Sequence, residues 1–294
     1  ENPSMSGSLK RKLKAFAWLG KFSISLPVAL TTFTGYLISH GEFARGIFYP
    51  VLGVFLLASA ASALNQLQEL RTDLLMPRTR NRPLPSGRIS KPEAWIFIFL
   101  FGISGLFVLY HFNGLLTSFL GMLNFVWYNG IYTPLKRKTA FAVVPGSVVG
   151  ALPPLIGWVA AGGTMLSPVA FALGFFFFIG QIPHFWLLLL RFGHEYEQAG
   201  LKSLTSRLDN NQIRRLTFVW IVSTAVTAFI LPAYYQFSYN ASVIVLWVLS
   251  VALIVRFTGL LRPSKDDVEF RMSFILINVY YFFVMVILGL DVLI

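Results

Sequence analysis

The chain contains no cysteine, and only 12 of its 294 residues are acidic. The first absence excludes disulfides, thiolate nucleophiles and cysteine-ligated metal centres. The second goes with a scarcity of charge of either sign. Asp, Glu, Lys and Arg together make up 12% of the chain, about half of what a soluble domain carries. Hydrophobic residues make up 56%, and the mean hydropathy is +0.68. These values exclude a soluble globular domain and place the chain among polytopic membrane proteins. No stretch is of low complexity and no linker divides the sequence, so residues 1–294 read as one domain.

Apolar runs of about 20 residues are long enough to cross a hydrocarbon core ~30 Å thick. They recur at 15–39, 47–69, 93–110, 115–133, 141–161, 168–190, 213–236, 241–260 and 272–293. Backbone polar groups in lipid must pair within their own segment. The expected architecture is therefore all-α, a polytopic bundle of nine transmembrane helices around a central cavity.

Lys and Arg total 24, for a net charge of +12, but their placement is that of membrane topology and not of a nucleic-acid surface. Lys10, Arg11, Lys12 and Lys14 precede the first run, and six Lys or Arg lie between Arg71 and Lys91. Lys136, Arg137 and Lys138 follow the fourth run, and further basic clusters flank 191–215 and 256–271. The alternate connections hold almost none. By the positive-inside rule the basic loops and the amino terminus are cytoplasmic and the carboxyl terminus is outside, as an odd number of spans requires. The expected location is the inner (cytoplasmic) membrane, with the cavity open to the cytoplasmic side. Residues 1–4, ahead of Met5, are expected to be foreign to the natural chain. The basic start followed by an apolar run reads as a permanent anchor and not a cleaved signal.

The scarce acidic residues are not scattered. Asn65, Glu69 and Asp73 are spaced four apart at the end of the second run. On a helix they drift by only about 40° per step and share one face over roughly 12 Å. Acidic groups near a span are costly and usually face a cavity or partner. Oxygen donors stacked in this way suit Mg²⁺, which takes one or two carboxylates together with phosphate oxygens and water. Arg78 and Arg82 follow at once in a Pro-rich turn, Arg82-Pro-Leu-Pro-Ser-Gly87. Cations beside such a metal suit phosphate, so the pattern reads as a diphosphate site at a membrane surface. The connections 70–92 and 191–212 are longer than tight turns require, as binding loops often are.

The run Asn65-x₃-Glu69-x₃-Asp73-x₂-Met76-x-Arg78-Thr79-x₂-Arg82-Pro83-Leu84-Pro85-x-Gly87 resembles the first motif of the ubiquinone-biosynthesis (UbiA) type of intramembrane prenyltransferases, most closely their haem-farnesylating branch. Tyr132-Thr-Pro-Leu-Lys136, Gly150-Ala-Leu-Pro-Pro154-Leu-Ile-Gly157-Trp and Gln181-Ile-Pro183-His184-Phe-Trp186 extend the match. The second motif departs from that branch. Arg191-Phe-Gly-His194-Glu195-Tyr196 has His194 and Glu195 where the branch has two aspartates, and Leu-Lys202-Ser-Leu follows in place of its Pro-Met-Leu-Pro.

The resemblance implies nine helices and Mg²⁺-dependent transfer of a farnesyl group from farnesyl diphosphate to a vinyl group of haem B. It implies metal binding and catalysis by Asn65, Glu69, Asp73 and Glu195, and diphosphate contacts from Lys21, Arg78, Arg82, Tyr132, Lys136 and Arg191. His184 would lie on the acceptor side. The partners implied are the isoprenyl diphosphate donor, haem B and the lipid bilayer, with no nucleic acid. Another aromatic acceptor, such as a quinone precursor, is the alternative. A transporter is disfavoured, because transporters place their coupling charges near the bilayer midplane.

Overall fold

The computed structural model describes residues 5–202, 204–262 and 267–294. Residues 1–4, expected to be foreign, and Lys265 of the last basic loop lie outside the described residues. Every regular element among the described residues is helical. In chain order the α-helices are α1 (Met5–Leu19), α2 (Phe22–His40), α3 (Phe48–Gln68), α4 (Leu70–Leu75), α5 (Lys91–Asn113), α6 (Leu115–Val126), α7 (Thr133–Leu135), α8 (Val143–Gly146), α9 (Val148–Ala160), α10 (Pro168–Gln198), α11 (Asn210–Tyr234), α12 (Asn240–Phe257) and α13 (Asp267–Leu293). Eight helical segments among the described residues are long and apolar enough to cross a membrane.

Four boundaries differ from those expected. The first run is two helices. α1 ends at Leu19 and α2 starts at Phe22, with Lys21 between them at φ 46. Lys21 is therefore not inside a continuous helix, as the run 15–39 implied. It sits in a left-handed hinge after Gly20, a poor helix former. The second run breaks at Glu69, whose φ and ψ of −98 and 7 leave the helical range before α4 resumes. The fourth run is a composite of α6, a π-helical turn at Trp127–Tyr132 and the short α7. The sixth run continues as α10 to Gln198, so Arg191 and Glu195 lie on a helix instead of in a loop.

The helices pack through small residues where backbones approach, as membrane helices do. α2 meets α9 at Gly35 and Gly157. A Cβ added to Gly157 would lie 2.8 Å from Tyr36 N and closer still to the Thr32 carbonyl oxygen. α10, α11, α12 and α13 share a second core built on Leu173, Phe176, Ile221, Leu253, Ile277 and Val284. The opposite faces are apolar too. On α5, Ile96, Phe99, Leu100, Ile103 and Phe107 point away from the protein, a stripe suited to lipid and not to water. Two buried charges pin the connections. The Arg214 guanidinium donates to the carbonyls of Gly259, Leu260 and Arg262. The Asp291 carboxylate accepts from the backbone N–H groups of Ser238 and Tyr239.

Candidate active site

The break at Glu69 does not interrupt the register of the motif. Glu69 N–H donates to Asn65 O at 2.9 Å, and Asp73 N–H to Glu69 O at 2.8 Å. Asn65, Glu69 and Asp73 thus stay on one face, and all three are buried. Buried charge requires compensation, and each of the three residues has one cationic partner. Lys21 Nζ donates to Asn65 Oδ1 at 3.3 Å. Lys136 Nζ pairs with Glu69 Oε1 at 2.6 Å. Arg82 Nη1 reaches both Asp73 oxygens, at 2.9 and 2.7 Å. The partners come from the α1–α2 hinge, the end of α7 and the Pro-rich turn, so three separated segments converge on one motif.

Local bonds hold those partners in place. Buried Thr79 donates its hydroxyl to Asp73 O at 2.9 Å, which folds the Met76–Arg82 turn back over α4 and delivers Arg82. Asn65 Nδ2 donates to Thr133 Oγ1 at 3.1 Å, and the Thr133 hydroxyl donates to Tyr128 O at 2.9 Å. The π-helical turn lies between those last two residues. Such turns re-aim side chains and recur at functional sites. Here the turn brings Tyr128 and Tyr132 onto the same cavity wall.

Electrostatics set the charge states. Burial pushes the Glu69 carboxyl up, but Lys136, with help from Lys21 and Arg82, outweighs it and holds the group below its ordinary value. Burial pushes Lys136 down, and Glu69 more than restores it. Lys21 has no carboxylate of its own. Burial, aided by the Arg82 charge, lowers it to about 7, so it is the cation with most to gain from an incoming anion.

These groups line a cavity of about 540 Å³. Lys21, Asn65, Glu69, Asp73, Arg78, Arg82, Tyr132, Lys136 and His184 all reach its wall. Arg78 crosses to α10, where Nη2 donates to Tyr196 Oη at 3.1 Å and the guanidinium lies 4.9 Å from the Phe192 ring centroid. Lys136 sits 5.0 Å from the Tyr132 ring centroid. His184 packs on Phe274 with ring centroids 4.4 Å apart.

Two expected residues are not on this wall. Arg191 is exposed and lies over Phe192. Glu195 is also absent from the lining, and its Oε2 is buried without a hydrogen-bond partner among the described residues. The reason is helical phase: α10 continues past Arg191, and Tyr196, one residue on, takes the place facing Arg78. Tyr196, Gln181, Thr133 and Lys202 belong to the site or its supports and were not singled out from sequence. Tyr196 and Gln181 stood inside the quoted motifs. Nothing in the pattern marked Lys202.

The donors present suit Mg²⁺: two carboxylates and an amide, all hard oxygen ligands on one wall. Among the described residues no group of three or more His, Asp or Glu converges. Two carboxylates and an amide are fewer donors than Mg²⁺ takes, so they could form only part of a shell, with diphosphate oxygens and water as the remainder.

A model of the UbiA prenyltransferase family matches residues 28–280. The chain is 37% identical over 222 residues to a protoheme IX farnesyltransferase of Oleidesulfovibrio alaskensis, covering 76% of this chain and 78% of that one. It is 34% identical over 257 residues to the protein of that name from Nitratidesulfovibrio vulgaris, covering 87% and 89%. A solved structure of digeranylgeranylglyceryl phosphate synthase shares the fold with a TM-score of 0.75 at 17% identity, covering 96% of this chain and 98% of that one. A UbiA homologue from Archaeoglobus fulgidus bound to GPP and Mg²⁺ shares it at 0.61 and 16%, covering 95% and 99%.

Proposed function

The chain belongs to the UbiA prenyltransferase family, and from that premise we propose that it transfers the farnesyl group of farnesyl diphosphate to a vinyl group of haem B, giving haem O. The carrying observation is the convergence of Asn65, Glu69 and Asp73 with Lys21, Lys136 and Arg82 in one cavity. The relatives named protoheme IX farnesyltransferase match this chain over most of both lengths, which supports haem B over a quinone precursor as acceptor.

Asn65, Glu69 and Asp73 would hold Mg²⁺, which when bound supplies charge neutralisation for the diphosphate. Lys136 and Arg82 neutralise the carboxylates until the donor arrives, then stand beside the departing anion as fixed cations that need no reorganisation. Lys21 gains its proton fully when the anion comes near, and Arg78 holds the outer phosphate from across the cavity. Tyr128 and Tyr132 flank the cleaving C–O bond. Their aromatic faces stabilise the allylic cation, and the closed helix walls keep bulk water away from it. His184, on the acceptor side, meets the macrocycle.

The polar end of the cavity faces the cytoplasm of a cell whose inner membrane holds the protein, with the amino terminus inside and the carboxyl terminus outside. The continuous helical segment 115–135 then serves as the ninth span. The test is incubation of the purified full chain with Mg²⁺, farnesyl diphosphate and haem B. Mass spectrometry should show a farnesylated, hydroxylated haem, lost when Mg²⁺ is chelated. Diphosphate release with no haem product would sink the acceptor assignment.

A further inference from the structure

The proposed reaction consumes a water in a site whose walls otherwise keep water out. When the farnesyl C1–O bond breaks, its electron pair leaves with diphosphate. The vinyl π pair then forms the new C–C bond to C1. The positive charge passes to the ring-attached carbon of the former vinyl group. A water lone pair closes that centre as a C–O bond, the proton passing to the departing diphosphate. Without a held water the same cation loses a proton and gives an alkene one water lighter.

We infer that Gln181 is the residue that positions this water, an inference that rests on the farnesyl-to-haem reading. Gln181 lines the cavity, and among the described residues its side-chain amide has no hydrogen-bond partner. An amide facing a cavity without a protein partner is a natural site for an ordered water. Its depth is also right. Gly146 lies against Tyr132, where an added Cβ would meet ring atom Cε2 at 2.6 Å. Gly150, one turn further on and thus about 5–6 Å deeper, lies against Gln181, where an added Cβ would meet Cδ at 2.7 Å and Nε2 at 2.9 Å. Tyr132 adjoins Thr133, which holds Asn65 of the diphosphate end. Gln181 is therefore one turn below the diphosphate end, the depth at which the proposed reaction would bring the acceptor's vinyl group up to C1. Gly150 is the pocket for its amide.

The test uses the full-length protein with farnesyl diphosphate, haem B and ¹⁸O-labelled water. The wild type should place ¹⁸O in the product. Gln181→Leu should still release diphosphate, but its ratio of hydroxylated to alkene product should fall about tenfold or more, as expected for one lost positioning hydrogen bond. Gly150→Ala keeps Gln181 while displacing its amide, and should shift the ratio the same way. This covers the case in which Gln181→Leu does not fold. An unchanged ratio in a variant that turns over haem would overturn the inference and leave the farnesyl-transfer reading standing. No farnesylated haem from the wild type would overturn that reading, and the inference with it.

Discussion

Replacing Gly157 with alanine should loosen the α2–α9 contact that frames the cavity. The added Cβ would stand 2.8 Å from both Thr32 C and Tyr36 N, where ordinary contact begins at 3.4 Å. The Thr32 carbonyl oxygen stands closer still, so the two helices must separate by well over the ~0.6 Å that those two contacts alone require, because the obstacles are backbone atoms and not movable side-chain tips. Overpacking of this kind costs about 1–3 kcal/mol, and a rigid backbone contact puts it at the upper end. Alanine returns up to ~1 kcal/mol through helix propensity. The net loss should be ~2 kcal/mol, or roughly 4–8 °C in the melting temperature of a chain this size. Gly102→Ala is the matched control, since the nearest atom to its Cβ is Ala60 Cβ at 3.9 Å. It should be neutral or slightly stabilising. Gly35→Ala meets the same interface at the Pro154 backbone, so the double variant should lose less than the sum of the two singles. The assay is thermal unfolding of detergent-solubilised protein. Equal melting temperatures for Gly157→Ala and Gly102→Ala would refute the packing argument.

Glu69→Gln and Asp73→Asn each remove charge with little change in volume. Turnover should drop by ~10²–10³, the usual loss of one fixed electrostatic group, with the melting curve still cooperative. Glu195→Gln should cost less than ~10-fold on the same scale, because Glu195 does not reach the cavity wall; a loss equal to that of Asp73→Asn would return Glu195 to the metal site. Lys21, lowered to about 7 in the free protein, should take up a proton when diphosphate binds at higher pH. Inorganic diphosphate affinity, measured by calorimetry, should therefore gain a component that falls as pH rises above about 7, by at most ~10-fold per unit, and in Lys21→Met only the dependence set by diphosphate's own ionisation should remain.

The first motif was legible because acidic residues are rare here and their spacing of four survives the kink at Glu69. The cations that pair with them were legible only as a set. Which one meets which acid depends on the turn that Thr79 folds and on the hinge at Lys21, and neither has a periodic signature. The hinge was missed because Lys21 is the only charge in residues 15–39, so hydropathy alone merged α1 and α2. Glu195 lies off the cavity wall because a helix carried on to Gln198 turns it away, and a loop reading carried no phase. The π-helical turn at Trp127–Tyr132 was invisible for a related reason: one extra residue in a turn leaves the apolar run unbroken.

In the proposed reaction, carboxylates and cations in one cavity carry farnesyl transfer to haem B. The most direct measurement is the mass of the product formed from haem B and farnesyl diphosphate by the wild type and by Asp73→Asn, with and without Mg²⁺. The wild type with Mg²⁺ should give farnesylated, hydroxylated haem, while the variant and the metal-free reaction give almost none. Equal product from Asp73→Asn, or from the wild type without Mg²⁺, would contradict the role assigned to the site.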